Sequence, residues 1–466
     1  MFKSIFTNSI GTLFSRILGF IRDLLTASIL GANIYSDIFF IAFKLPNLFR
    51  RIFAEGAFAQ SFIPSFTAAK SKAIFSAHVF ILFFFIIFLL TMLVQLFPYY
   101  AAKAMAIGFN EETLHLAAPF VAINFYYLLL IFGVAFLSAL LQYREHFATT
   151  AFSTGLLNMA MISSLLLAQG KASNEVVLYL SYGVLVGGAL QFLSHILMAK
   201  KIGMLKILIG GFQNFNKKDI TQDKQRFKKS FFPAIWGNST AQISAFLDTW
   251  LASFLVTGSI SYLYYANRVF QLPLALFAIA TSVALFPRIS RYLRHEKFEE
   301  AELAFSKAFW FLGFLLTLSF IGGFMLSHEI TWLLFERGAF SKEDTHNTAL
   351  VLQMYMIGLV PFGLSKLFSL KLYAMHQQGR AAKIATFALG GNIALSLALI
   401  SPLGAMGLAL ASSVSGIILF IFTIKAYGTS AFLAIIRDKK ALWLLLASGV
   451  LIIILYFFKE AIHVYL

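Results

Sequence analysis

The stretch IFSAHVFILFFFIIFLLTMLVQLFP (74–98) contains no Asp, Glu, Lys or Arg. As a helix it is long enough to cross the ~30 Å hydrocarbon core of a bilayer. Such runs recur: we count about 13, near 4–30, 35–65, 74–98, 114–141, 147–169, 176–199, 230–256, 259–286, 303–327, 347–373, 381–400, 403–425 and 441–458. In lipid the backbone polar groups must be satisfied internally, so only helices or closed barrels span it, and these runs have helix length rather than the alternation of barrel strands. The expected fold is all-α. With 59% hydrophobic and 12% charged residues in 466, and a mean hydropathy of +0.81, the chain is too apolar for a water-soluble globule and reads as a polytopic membrane protein. The first run carries Arg16, Arg22 and Asp23 where a cleavable signal needs an apolar core, so we expect it to be retained. The absence of cysteine excludes disulfides and thiolate metal sites, and the nine histidines show no paired ligand spacing.

A net charge of +17 would suit nucleic acid if it were gathered on one face, but its placement argues for no nucleic-acid partner. Lys70 and Lys72, Arg144, the segment 200–229, Arg288 to Lys297, Arg380 and Lys383, and Lys425 to Lys440 all follow even-numbered spans. Odd-numbered connections such as VTGS (256–259) and SPLG (401–404) carry almost none. This is the positive-inside pattern, and it places the N-terminus in the cytoplasm.

The order of landmarks repeats. FKLPNLF (43–49) matches FQLPLALF (270–277), DLLTAS (23–28) matches DTWLAS (248–253), and SFIP (61–64) matches ALFP (284–287). We therefore expect two pseudo-twofold-related lobes of about six helices each, 1–199 and 230–425, joined by a basic cytoplasmic linker, 200–229, with 426–466 adding a linker and an extra C-terminal helix. Transporters built from parallel repeats bind substrate near the midplane between the halves and rock one against the other.

Charges also lie inside the spans, where each costs about 2.5–3.5 kcal/mol on insertion scales unless it faces protein or a wet cavity. In the first span Thr12, Ser15, Arg16, Gly19, Arg22 and Asp23 recur at helical spacing and form one small and charged stripe. In the second, Asp37, Lys44 and Arg51 recur at seven-residue intervals, Glu55 follows a turn later, and Pro46 can kink the helix and redirect Arg50. Arg268, in YYANRVFQLP, lies at about the same depth as Arg22, roughly 13 Å from the outer end of its span. Structural readings compete with a functional one: Asp23 can pair with Arg22 or Arg16, Asp37 with Lys44, and Arg50 and Arg51 can reach lipid phosphates, as can Lys366 and Lys371. One aspartate cannot neutralise both Arg16 and Arg22. Guanidinium forks bind phosphate bidentately and stay charged, so several arginines at the midplane suit a multiply anionic group such as a pyrophosphate.

At FSRILGFIRD (14–23), DIFFIAFKLPNLFRRIFAEGAFAQSFIP (37–64), YANR (265–268) and LFERGAFSKEDT (334–345), over about residues 1–425, the chain closely resembles the MurJ/MviN family of bacterial lipid II flippases within the MOP transporter superfamily. The resemblance implies a two-lobed transporter, not an enzyme, of the bacterial cytoplasmic (inner) membrane. It implies a cargo, lipid II, the undecaprenyl-pyrophosphate-linked peptidoglycan precursor, moved from inner to outer leaflet by alternating access. By motif position it puts the family's cavity arginines on Arg16, Arg22, Arg50 and Arg268, and acidic positions on Asp37 and Glu55, the latter associated with gating. Asp23, Lys44 and Arg51 join these as cavity or gating residues. Membrane phospholipids, peptidoglycan synthesis proteins and division proteins are the implied partners.

Some family members hold sodium between spans 7, 11 and 12. Asp248 and Asn392 match that site, whereas Ser396 stands where a second carboxylate is expected; sodium and the membrane potential are thus the two candidate energy sources, and no other cofactor is implied. The family usually has about 14 spans, and here a single apolar run follows the twelfth. The nearest alternative is a superfamily exporter of another undecaprenyl-linked oligosaccharide or of a drug. A membrane glycosyltransferase or phosphatase would need a paired acidic or histidine-rich loop motif, and a division scaffold leaves the intramembrane arginines unexplained.

Overall fold

The computed structural model describes residues 2–53 and 57–463, and side-chain surroundings for 10–50, 58–235 and 242–461. Among the described residues every regular element is helical, as the apolar runs require. The chain divides into two compact units, one of Met1–Gly258 with Arg337–Phe340, the other of Ser259–Glu336 with Ser341–Leu466.

The first unit holds α1 (Phe2–Leu30), α2 (Ile34–Phe53), α3 (Ala57–Ala68), α4 (Lys72–Leu96), α5 (Pro98–Met105), α6 (Glu111–Tyr143), α7 (Ala148–Leu167), α8 (Ser173–Lys201), α9 (Met204–Gln213) and α10 (Thr221–Ala252). At its centre is α6, apolar on all sides and packed by α2, α3, α4, α5 and α8, as expected of a helix with no solvated face. It starts where the Asn110 side chain accepts the Thr113 N–H at 2.8 Å, an N-cap that satisfies one of the free donors of the first turn. Small residues bring α1, α7 and α8 together: a Cβ on Gly11 would lie 2.7 Å from the Ala151 Cβ, and one on Gly187 2.8 Å from the Leu157 Cα. Between membrane helices, where lipid is as apolar as leucine, such close backbone approach supplies much of the packing energy.

The basic segment 200–229 is itself largely helical, made of α9 and the first turns of α10. Phe227 and Phe231, on α10, enter an aromatic core with Phe58 of α3, Phe83 of α4 and Phe136 of α6. The Phe83 and Phe231 rings meet edge to face at 5.1 Å. Each such pair contributes about 0.5–1.5 kcal/mol beyond its buried area, which accounts for α10 packing with the first unit. At the far end of α1, the Ala339 N–H donates to the Ser28 carbonyl at 2.7 Å. The neighbouring Gly338 has φ +62°, and a Cβ there would stand 2.2 Å from that same oxygen, so only glycine fits.

The second unit holds α11 (Ser259–Pro273), a turn of π-helix (Leu274–Ile279), α12 (Ala280–Arg294), α13 (Phe298–Met325), α14 (Ser327–Phe335), α15 (Lys342–Ile357), α16 (Leu359–Ala374), α17 (Gln378–Tyr427), α18 (Thr429–Ile436) and α19 (Lys440–His463). The π turn follows directly on Pro273, whose missing N–H disturbs the helical ladder. A capping box between Ser341 and Asp344 starts α15. The expected spans 381–400 and 403–425 are the two arms of α17, which turns at Gly404 with φ +55°. Phe305 and Phe309 of α13, Phe368 of α16, Tyr427 of α17 and Phe432 of α18 form its aromatic core. Lys371, expected to reach lipid, instead donates to the Tyr427 carbonyl at 3.1 Å and lies 4.4 Å from its ring centroid. The C-terminal helix α19 packs on α13, and Lys459 reaches the Met325 carbonyl at 3.3 Å and the largely buried Glu329 at 3.7 Å.

Among the described residues, nine helices are long and apolar enough to cross a membrane. α1, α2, α3 and α10 are not in that group: α3 is short, and α1, α2 and the first half of α10 carry the charges discussed above. The molecule is a multi-pass, all-α membrane protein.

Candidate functional site: the intramembrane arginines

The charged stripe of α1 divides in two. Ser15, Gly19 and Arg22 turn toward α7, whereas Thr12 and Arg16 are exposed. The Ser15 hydroxyl donates to the Ala151 carbonyl at 2.9 Å, and Gly19 leaves room for Asn158, whose amide nitrogen would stand 3.3 Å from a Cβ at that position. Asn158 is the hinge of the arrangement. Its amide donates to the Ser15 carbonyl at 2.9 Å, and its side-chain oxygen accepts from Arg22 Nη1 at 2.9 Å.

Arg22 is 8% exposed and Asp23 is 2% exposed. Arg22 Nε and Nη2 both donate to Asp23 Oδ1, at 3.1 and 2.6 Å, while Nη1 also faces the Met161 sulfur at 3.7 Å. Of the two pairings open to Asp23, the structure contains the one with Arg22. The aspartate's charge is thereby matched next door, while Arg16 on the same helix is exposed. Sequence reasoning missed Asn158. It had one signal, an amide within the apolar run 147–169, where an isolated polar side chain must find partners.

On α2, the Asp37 carboxylate is buried and accepts the Gly258 N–H at 2.7 Å, a contact that spacing along α2 alone could not have indicated. Lys44 is half-buried, and Arg50 Nε donates to the Asn47 side-chain oxygen at 3.2 Å, one turn before it. The side-chain surroundings of Arg51 and the position of Glu55 lie outside the described residues.

In the second unit, Arg268 on α11 donates from Nη2 to the Tyr264 hydroxyl at 2.6 Å, with its guanidinium carbon 4.8 Å from that ring's centroid. Tyrosine one turn back thus holds the guanidinium both by a hydrogen bond and by its π face, at the (i, i+4) spacing that brings helix side chains together. Asn392, buried on α17, donates to the Ser412 hydroxyl at 3.2 Å, and Ser396 one turn on is fully buried. Asp248 belongs to the first unit and Asn392 to the second. What α17 itself offers a hard cation is neutral oxygen only, which does not by itself make a sodium site. Among the described residues no group of three or more His, Cys, Asp or Glu converges as metal ligands.

The family model described as Lipid II flippase MurJ matches residues 26–466. The chain belongs to the MurJ family. A probable lipid II flippase MurJ of Helicobacter pylori is 52% identical over 453 residues, covering 94% of this chain and 98% of that protein. Another, of Buchnera aphidicola, is 32% identical and covers 98% of this chain and 90% of its own. Among solved structures, a lipid II flippase MurJ in an inward closed conformation aligns with a TM-score of 0.81 at 28% identity, covering 98% of both chains. An inward-facing MATE transporter of the MOP superfamily aligns at 0.69 with 12% identity over 94% of this chain and 99% of its own, a likeness of fold alone. The MurJ match runs beyond residue 425, where the motif resemblance ended, and takes in α18 and α19.

Proposed function

We propose that the protein is a lipid II flippase of the bacterial cytoplasmic membrane: a transporter, not an enzyme, moving the undecaprenyl-pyrophosphate-linked precursor from the inner to the outer leaflet by alternating access. The observation that carries this reading is the end-to-end likeness, 52% identity over 94% of the chain, to a protein named as a probable lipid II flippase. Two lobes, 1–199 and 230–425, rock about the cargo with the N-terminus in the cytoplasm, while 200–229 connects them and 426–466 adds the last helix. Peptidoglycan synthesis and division proteins are the natural consumers of the exported precursor.

In this reading Arg16, Arg22, Arg50 and Arg268 bind the pyrophosphate, and Asp23, Asp37, Lys44, Arg51 and Glu55 shape the cavity and its gating. The pinned guanidinium of Arg22 supports it. An arginine already fixed by Asp23 and Asn158 loses little rotamer entropy on meeting an anion, and a site held in place before binding costs less to occupy. We propose the membrane potential as the drive, worth about 2.3 kcal/mol per charge moved through 100 mV, since the residues α17 places at the family's sodium position, Asn392 and Ser396, are neutral.

The test is expression in a bacterium depleted of its own flippase, with lipid II on the outer face quantified. Wild type restores exposure, and well-inserted Arg22→Ala and Arg268→Ala variants do not. If inserted wild type restores nothing while another undecaprenyl-linked glycan reaches the outer face, the cargo assignment falls. If both variants match wild type, the arginine site falls.

A further inference from the structure

On the surface of the first unit an apolar cavity of about 460 Å³ opens between α1, α7 and α8. Along α7 its wall runs from Thr149 through Phe152 and Leu156 to Met159, with Phe14 of α1 and Lys201 of α8 opposite. From 149 to 159 a helix rises about 15 Å, half the ~30 Å hydrocarbon thickness and so the depth of one leaflet. Two serines also line it, but the Ser153 hydroxyl bonds the Thr150 carbonyl and the Ser194 hydroxyl the Gln191 carbonyl, both within their own helices. The body of the groove is therefore apolar and its polar groups gather at one end.

That end is cationic. Lys201 is exposed there, Lys200 precedes it in the chain, and the Thr149 hydroxyl bonds His146 Nε2 at 2.8 Å. Burial, and then the nearby Lys201 ammonium, hold His146 below its ordinary value. An apolar slot one leaflet deep, with a lysine and a hydroxyl at its headgroup end, has the chemistry of a phospholipid with a net negative charge: chain in the slot, phosphate at the rim.

We infer that this groove is a binding site for an anionic glycerophospholipid of the leaflet on the Lys201 side, with Lys201 and Thr149 at its phosphate and one acyl chain along Phe152, Leu156 and Met159. The inference does not depend on the cargo. It separates from ordinary lipid solvation by charge selectivity and by saturation at one site.

The test titrates the delipidated full chain in detergent with phosphatidylglycerol and with phosphatidylcholine, counting bound lipids by native mass spectrometry. The expected result is one tight phosphatidylglycerol, preferred over phosphatidylcholine. That preference falls about fivefold in Lys201→Gln, and the tight site disappears in Leu156→Trp, which fills the slot. Met159→Trp, further along the same wall, gives the same loss should the Leu156 variant fold poorly. Equal affinity for the two lipids, an unchanged preference in Lys201→Gln, or a tight site that survives the tryptophan each overturns the assignment. Displacement of phosphatidylglycerol by undecaprenyl phosphate, one for one, also overturns it and gives the groove to a prenyl chain.

Discussion

Asn158 illustrates how a residue outside every motif can decide what a motif residue does. It touches Arg22 with one end of its amide and the Ser15 backbone with the other, so it fixes the guanidinium relative to the helix that carries it. Hydrogen bonds to charged groups are worth about 1.5–3 kcal/mol. Asn158→Leu, similar in size but without the amide, is therefore expected to lower lipid II exposure by about tenfold or more in the depleted host, at normal membrane abundance; unchanged exposure would show that Arg22 needs no such support. Asp23 poses the complementary case. Taking it away removes a buried charge partner of Arg22, and breaking a buried pair in this way costs about 3–5 kcal/mol. Asp23→Asn should thus lower the thermal midpoint of the purified protein more than Arg22→Met, an order that melting curves of the two variants can reverse or bear out. For Arg268, held by a ring and a hydroxyl together, the planar fork matters, and Arg268→Lys is expected to lose exposure nearly as fully as Arg268→Ala.

At the level of elements, the first unit depends on backbones that touch. Gly187 faces the Leu157 Cα with no room for a methyl, and overpacking of this kind typically costs about 1–3 kcal/mol. Gly187→Val should push α8 from α7 and lower the thermal midpoint in detergent, whereas Gly210→Ala, on α9 with open space where its Cβ would go, should leave it within error. Equal effects would mean that the α7–α8 contact contributes little. The aromatic core explains another division of labour. Phe227 and Phe231 carry the start of α10 into the first unit although the adjacent sequence is the most basic in the chain, so one helix joins a charged, solvated beginning to a buried aromatic wall.

For the whole molecule, the alternation of basic and neutral connections makes an orientation testable with little ambiguity, because the chain has no cysteine of its own. Single-cysteine variants at Lys218 and Thr257 report on opposite sides. A membrane-impermeant maleimide on intact spheroplasts is expected to label the cysteine placed at 257 and to reach that at 218 only after permeabilisation; the reverse pattern would invert the topology and the direction of transport proposed from it.

Sequence by itself determined the class of fold, because that rests on composition and on period, which lipid enforces residue by residue, and the family was legible in the motifs at 14–23, 37–64, 265–268 and 334–345. It also singled out Arg16, Arg22, Arg50 and Arg268, since charge inside an apolar run is visible without any structure. It did not reveal that Asn158 holds Arg22 in place, that Asp37 bonds the Gly258 backbone, or that Phe227 and Phe231 of α10 enter an aromatic core with Phe58. The physical reason is reach. Spacing along one helix predicts which side chains share a face, but the residue that faces them comes from a neighbour more than a hundred positions away, as with Ser15 and Ala151, and only packing brings the two together.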